Sequence, residues 1–179
     1  QAVSGTGKDA INELEQQTEE VMAGKEATTD IYPHQIAFNV LPHIDIFFAN
    51  DYTKEEMKMV NETHKIMEES IKVTATAARV PVFIGHAESI NIETEEKLTV
   101  DKARELLASA PAVKVKDNPK EFSYPLQTDT ATTDDVLVGR IRADETIDNG
   151  LNLWVVGNNL RKGAALNTIQ IAEELIAEK

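Results

Sequence analysis

Arg79-Val-Pro-Val-Phe-Ile-Gly-His-Ala-Glu-Ser-Ile-Asn-Ile-Glu93 decides how the chain is read, because an apolar run with a cation at its head becomes an alternating strand. Val82 to Glu93 is expected to be strand, alternating through Ile90 and Ile92. At opposite ends of the apolar run 79–86, a fixed cation, Arg79, and a titratable imidazole, His86, suit an anionic substrate and a proton transfer. Arginine holds a carboxylate through two parallel hydrogen bonds, and histidine changes charge near neutral pH. They stand seven positions apart. Odd separations point to opposite faces of a strand, so the pair converges on one ligand only if Pro81 or Gly85 bends the run. Alone, the pair is weak: isolated arginines usually sit at surfaces, and lone histidines are more often structural.

Outward from this run, Val73–Ala78 also reads as strand, and Val136–Arg142 and Leu151–Val156 alternate as strands. Ile36 to Phe48 is rich in β-branched and aromatic residues and is expected to be largely strand, interrupted at Pro42. Gly7 to Gly24 carries Ala10, Ile11, Leu14, Val21 and Met22 mostly at helical spacing, and Gly24 can close that helix in the left-handed conformation. Thr53 and Glu56 form a capping box that starts a helix from about Lys54 to Glu69. Further helices are expected at about Val100–Ser109, stopping before Pro111, and about Leu160–Ala177. Lys25–Gln35 and Asn118–Asp135 lack periodicity and read as irregular segments. Long strands joined by helices, without regular βαβ alternation, predict one α+β domain over residues 1–179, a mixed sheet with helices on one face.

At 179 residues the chain can bury one sizeable core. Its net charge of −13 argues against nucleic acid, which demands a basic stripe. Its apolar runs are too short to span a bilayer, so no membrane role is expected. The absence of cysteine removes disulfides, thiolate metal sites and thiol catalysis from what this chain does by itself. His34, His43 and His64 have no ligand spacing and no H-E-x-x-H exists, so no metal site is expected. Gly5-Thr-Gly7 lacks the third glycine and the preceding strand of a dinucleotide fingerprint.

Six pieces occur here in one order: Gln1-Ala-Val-Ser-Gly-Thr-Gly7, Pro42-His-Ile-Asp45, Tyr52-Thr-Lys-Glu-Glu-Met-Lys58, Arg79 to Ser89, Val138-Gly-Arg-Ile-Arg142, and Trp154 through Gln170. Together they closely resemble the carboxyl-terminal domain of the aspartate-β-semialdehyde dehydrogenase family, over essentially the whole chain. The resemblance implies a glyceraldehyde-3-phosphate dehydrogenase-like catalytic domain, a largely antiparallel mixed sheet whose free face forms a homodimer. It implies interconversion of aspartyl phosphate and aspartate semialdehyde plus phosphate with NADP, on the cytoplasmic route to lysine, methionine and threonine. It also implies an amino-terminal NADP-binding domain carrying the nucleophilic cysteine. A start at Gln1 without methionine reads as an excised piece, inactive alone.

The same resemblance assigns roles residue by residue. Arg79 would bind the substrate carboxylate. His86 would be the general base, acting as an upstream thiolate attacks the aldehyde and again as phosphate attacks the thioester. Gln1 would bind substrate, although a terminal residue is commonly poorly ordered. Glu55 would face the substrate amine and Lys58 the phosphate, but three residues apart on a helix they could equally be a plain ion pair. Glu56 competes with Glu55, and its capping position argues against it. Ser4 and Gly5 would approach the nicotinamide half of NADP, unless they form a plain turn, and Asn159 would meet the nicotinamide carboxamide. Lys162 reads as a helix-start or surface lysine. The alternatives are a related acyl-phosphate or acyl-CoA reductase, or a catalytically silent dimerisation module. Glu55 and Lys58 with Arg79 favour the aspartyl substrate over the first, and the intact Arg79 and His86 weigh against the second.

Overall fold

A computed structural model describes residues 1–177. The chain divides into two compact units, Gln1–Phe83 and Ile84–Lys179.

The first unit contains helices α1 (Lys8–Met22) and α2 (Lys54–Ile66). Helical spacing lets α1 bury Ala10 and Leu14 against Val3, Tyr32, Ile36, Ala37 and Leu41, with Ile11 at the margin. Gly24, at φ 71°, follows its end as expected. Two buried polar side chains on the same face hold the loops. Glu13 accepts hydrogen bonds from the backbone N–H groups of Asp30 (2.8 Å), Ile31 and Tyr32 (3.2 Å). Gln17, fully buried, accepts from Ile36 N (2.8 Å) and Ala37 N (3.0 Å) and donates to Thr28 O (2.7 Å).

Those bonds explain why Ile36–Phe48 is not a strand. The first donors of the segment go to a glutamine side chain, Phe38 and Asp45 take positive φ, and only isolated bridges remain, Leu41 with Arg79 and Phe47 with Thr53. Val73–Ala78 likewise forms no strand. Ala77 N donates to the Glu56 carboxylate (2.9 Å) and Ala78 O accepts from the Gln1 nitrogen (2.6 Å), so the segment has no ladder to join.

The second unit is a four-stranded sheet, β1 (His86–Glu93), β2 (Val113–Val115), β3 (Val136–Asp144) and β4 (Gly150–Gly157), in the order β1-β4-β3-β2. β1 and β3 both pair antiparallel with β4, and β2 pairs parallel with β3, which bears out the mixed, largely antiparallel sheet. Helix α3 (Val100–Ser109), with the expected bounds, packs Ala103 onto Val138, Ile141 and Leu151 on one face. A bulge between Gly139 and Arg142 puts Arg140 at φ 53°. The buried Asp117 carboxylate takes the Arg140 N–H (2.7 Å) there and pairs with Arg104 (2.9 Å).

Three expectations shift in this unit. The strand expected from Val82 begins only at His86, because Gly85 at φ 93° breaks it. The excursion at Asn118–Asp135 contains 3-10 turns at Pro119–Glu121 and Gln127–Ala131. The last helix opens as a π turn, Arg161–Ala165, before α4 (Leu166–Ala177). Asn158 Oδ1 accepts from Leu160 N (3.0 Å) and Arg161 N (3.1 Å) at that opening. Among the described residues no helix is long and apolar enough to cross a membrane, and no group of His, Cys, Asp and Glu could hold a metal ion.

Candidate functional site

In the first unit the structure brings Gln1, Glu55, Lys58 and Arg79 together. The chain from Gln1 to Ser4 runs along Ala78–Phe83, through Val80 N to Gln1 O (2.9 Å), Val3 N to Val82 O (2.9 Å) and Ser4 N to Phe83 O (3.1 Å). Gln1 is therefore pinned rather than frayed. Its Nε2 donates to Glu55 Oε1 (2.6 Å), and Lys58 Nζ lies 3.9 Å from Glu55 Oε2. The i,i+3 ion pair foreseen on helical spacing is thus present, and it is joined to the glutamine.

Arg79 is 5 % exposed. Its Nη1 donates to Ala2 O (2.8 Å) and Gln1 Oε1 (3.5 Å), and its guanidinium stands 6.0 Å from the centre of the Tyr32 ring. Among the described residues its Nε is buried without a hydrogen-bond partner. A buried orphan donor costs about 1–3 kcal/mol, so a protein that keeps one commonly uses it on a ligand or an ordered water. Burial pushes the Arg79 pKa down, partly offset by electrostatic interaction with Tyr32 and Glu55; arginine stays protonated regardless. Tyr32, whose hydroxyl donates to Thr6 Oγ1 (2.9 Å), has its own pKa raised by burial. Sequence reasoning missed Tyr32, because it lies in the aperiodic stretch Lys25–Gln35.

Glu56 is occupied elsewhere, as its capping position implied. It accepts from Thr53 N (2.7 Å) and Ala77 N (2.9 Å), and those two donors hold its carboxyl below the ordinary glutamate pKa. Ser4 is buried in the 3-10 turn Val3–Thr6, while Gly5 is exposed beside it.

In the second unit His86 opens β1, paired with Gly157. Gly85 before it is clasped on both sides. Its N–H donates to Asn159 Oδ1 (2.9 Å) and its carbonyl accepts from Gln127 Nε2 (2.6 Å). A Cβ on Gly85 would stand 2.8 Å from Thr130 Oγ1 and 2.9 Å from Gln127 O, and the positive φ alone disfavours any side chain. Asn158, buried, donates to Thr130 O (3.0 Å). Lys162 lies in the turn Arg161–Ala165 and donates to Gln170 Oε1 (2.7 Å).

Residues 1–162 match the family described as the semialdehyde dehydrogenase dimerisation domain. The chain is 56 % identical over 180 residues to the aspartate-semialdehyde dehydrogenase of Legionella pneumophila, covering 99 % of this chain and 52 % of that protein. Against the Aquifex aeolicus aspartate-semialdehyde dehydrogenase it is 54 % identical, with 99 % and 53 % covered. The aspartate semialdehyde dehydrogenase II of Vibrio cholerae, solved complexed with ASA, superposes at TM-score 0.94 with 46 % identity, over 99 % of this chain and 52 % of that one. A more distant Candida albicans aspartate semialdehyde dehydrogenase, solved with NADP, gives TM-score 0.57 and 25 % identity over 69 % of this chain and 40 % of that one. The chain spans about half the length of the curated relatives it matches.

Proposed function

Because the chain belongs to the semialdehyde dehydrogenase dimerisation-domain family, as the carboxyl-terminal domain of an aspartate-semialdehyde dehydrogenase, we propose that it supplies the substrate grip and the general base for the NADP-dependent interconversion of aspartate semialdehyde plus phosphate with aspartyl phosphate. That reaction would serve lysine, methionine and threonine synthesis in the cytoplasm. The observation that carries the reading is the buried Arg79, with its unmatched Nε beside a glutamine and a carboxylate.

Each residue then has a physical task. Nε and Nη2 form the guanidinium edge that accepts a carboxylate side-on, while Nη1 is spent on fixing the group to Ala2 and Gln1. Glu55 offers a negative charge to the substrate ammonium, and Gln1 orients Glu55 through its 2.6 Å hydrogen bond. Lys58, its side chain 54 % exposed, is the point charge for phosphate. His86 accepts the proton that the reacting centre loses, releases it to solvent, and as the neutral imidazole accepts another when phosphate attacks the thioester that a cysteine of the amino-terminal half would form. NADP, when bound, accepts the hydride. The residues on this chain fit it in part: exposed Gly5 would let a flat ring come near bare backbone beside Ser4, and the Asn159 side chain, whose oxygen accepts from Gly85 N, is held in place to meet a carboxamide.

Two assays on purified protein test this. The full-length enzyme should turn over aspartate semialdehyde, NADP and phosphate, and the 179-residue chain should not, since it has no cysteine. Turnover by the separate chain would refute the assignment of the nucleophile, and no turnover by the full-length protein would leave the silent dimerisation module. We further propose that the open sheet face forms a homodimer, the commonest closed arrangement of soluble chains. Sedimentation of the separate chain at micromolar concentration should then show a dimer; a monodisperse monomer would contradict that interface.

A further inference from the structure

We propose that Gln127 is a positioning residue for the general base, fixing the His86 side chain by holding the Gly85 carbonyl. This rests on the reading of His86 as the base. The Gly85 oxygen and the His86 nitrogen belong to one planar peptide unit, so a donor that fixes this oxygen fixes the plane from which the His86 Cα–Cβ bond departs. Gln127 Nε2 reaches the oxygen at 2.6 Å. On the other side Asn159 Oδ1 takes the Gly85 N–H at 2.9 Å. Without these bonds the glycine, at φ 93°, has more conformational freedom than any other residue type at the point where freedom would be most harmful.

The donor itself is anchored. Asp129, two residues on, accepts from Leu126 N (2.9 Å) and pairs with Lys116 Nζ (2.7 Å). Thr130, 1 % exposed, has its carbonyl tied to Asn158 and its hydroxyl to Gln127 O (2.7 Å). The turn that carries Gln127 is thus fixed at the residue before it, at its own carbonyl and at the residues after it. Displacing a reacting group by about 1 Å can cost on the order of 100-fold in rate, so the loss of one of two bonds on Gly85 should cost about 10-fold.

The experiment uses the full-length enzyme and compares Gln127→Met, which keeps the length and removes the donor, with Gln127→Lys, which restores an N–H donor, and with His86→Ala. The proposal expects Gln127→Met to lower kcat about 10-fold, with KM for aspartate semialdehyde within about twofold and the melting temperature within a few degrees of wild type. Gln127→Lys should recover most of that loss. If Gln127→Met does not fold, Gln127→Ser is read by the same criteria. A kcat within twofold of wild type, a loss that appears in KM, or a loss that lysine does not recover overturns the proposal. If His86→Ala itself retains turnover, the general-base reading falls and this proposal with it. If His86→Ala loses turnover while Gln127→Met does not, only the positioning role falls.

Discussion

The two units solve the same problem by different means. In Gln1–Phe83 the backbone is held by buried acid and amide side chains: Glu13 collects three consecutive N–H groups, Gln17 two, and Glu56 two. In the unit beginning at Ile84 a ladder does most of that work, with β4 paired along its length to β1 and over most of β3, and α3 laid across one face, while side chains such as Asp117 and Asn158 hold backbone at a bulge and at a helix opening. The difference matters for chemistry. A side-chain clamp can hold irregular chain around a buried cation such as Arg79, which a flat ladder could not enclose. A ladder instead gives a rigid origin for a single side chain such as His86.

If that contrast is real, the units respond to different substitutions. The largest expected effect is in the clamp unit, where volume is the wrong measure: Gln17→Leu keeps the size but strands the buried N–H groups of Ile36 and Ala37, at about 1–3 kcal/mol each. In the sheet unit Leu151→Ala, removing a core residue that is 1 % exposed, should destabilise by about 2–5 kcal/mol, while Leu151→Met should cost less than about 1.5 kcal/mol because volume is conserved. Chemical denaturation of each variant checks both, and a neutral Gln17→Leu would erase the distinction.

The same contrast explains what the sequence disclosed. Periodicity and caps located α1, α2, α3, β3 and β4, because those elements bond to themselves or to regular neighbours. They failed at Ile36–Phe48 and Val73–Ala78, whose composition is strand-like but whose donors and acceptors go to Gln17, Glu56 and Gln1. No local pattern announces that a glutamine nineteen residues upstream will take an N–H. At the site, the capping box foretold that Glu56 is engaged by Thr53, and Gly85 marked the break before His86. Gln127 and Tyr32 escaped notice because each acts from an aperiodic segment through one contact distant in sequence.

On the proposed function, the first unit would grip the substrate and the second would move its protons. Steady-state kinetics of Arg79→Lys and His86→Ala in the full-length enzyme test it most directly. Lysine cannot reproduce the bidentate geometry, so Arg79→Lys should act mainly by raising KM for aspartate semialdehyde. His86→Ala should instead lower kcat by roughly 100-fold to 10,000-fold. A His86→Ala enzyme within a few-fold of wild-type kcat, or an Arg79→Lys enzyme with unchanged KM, would contradict the account.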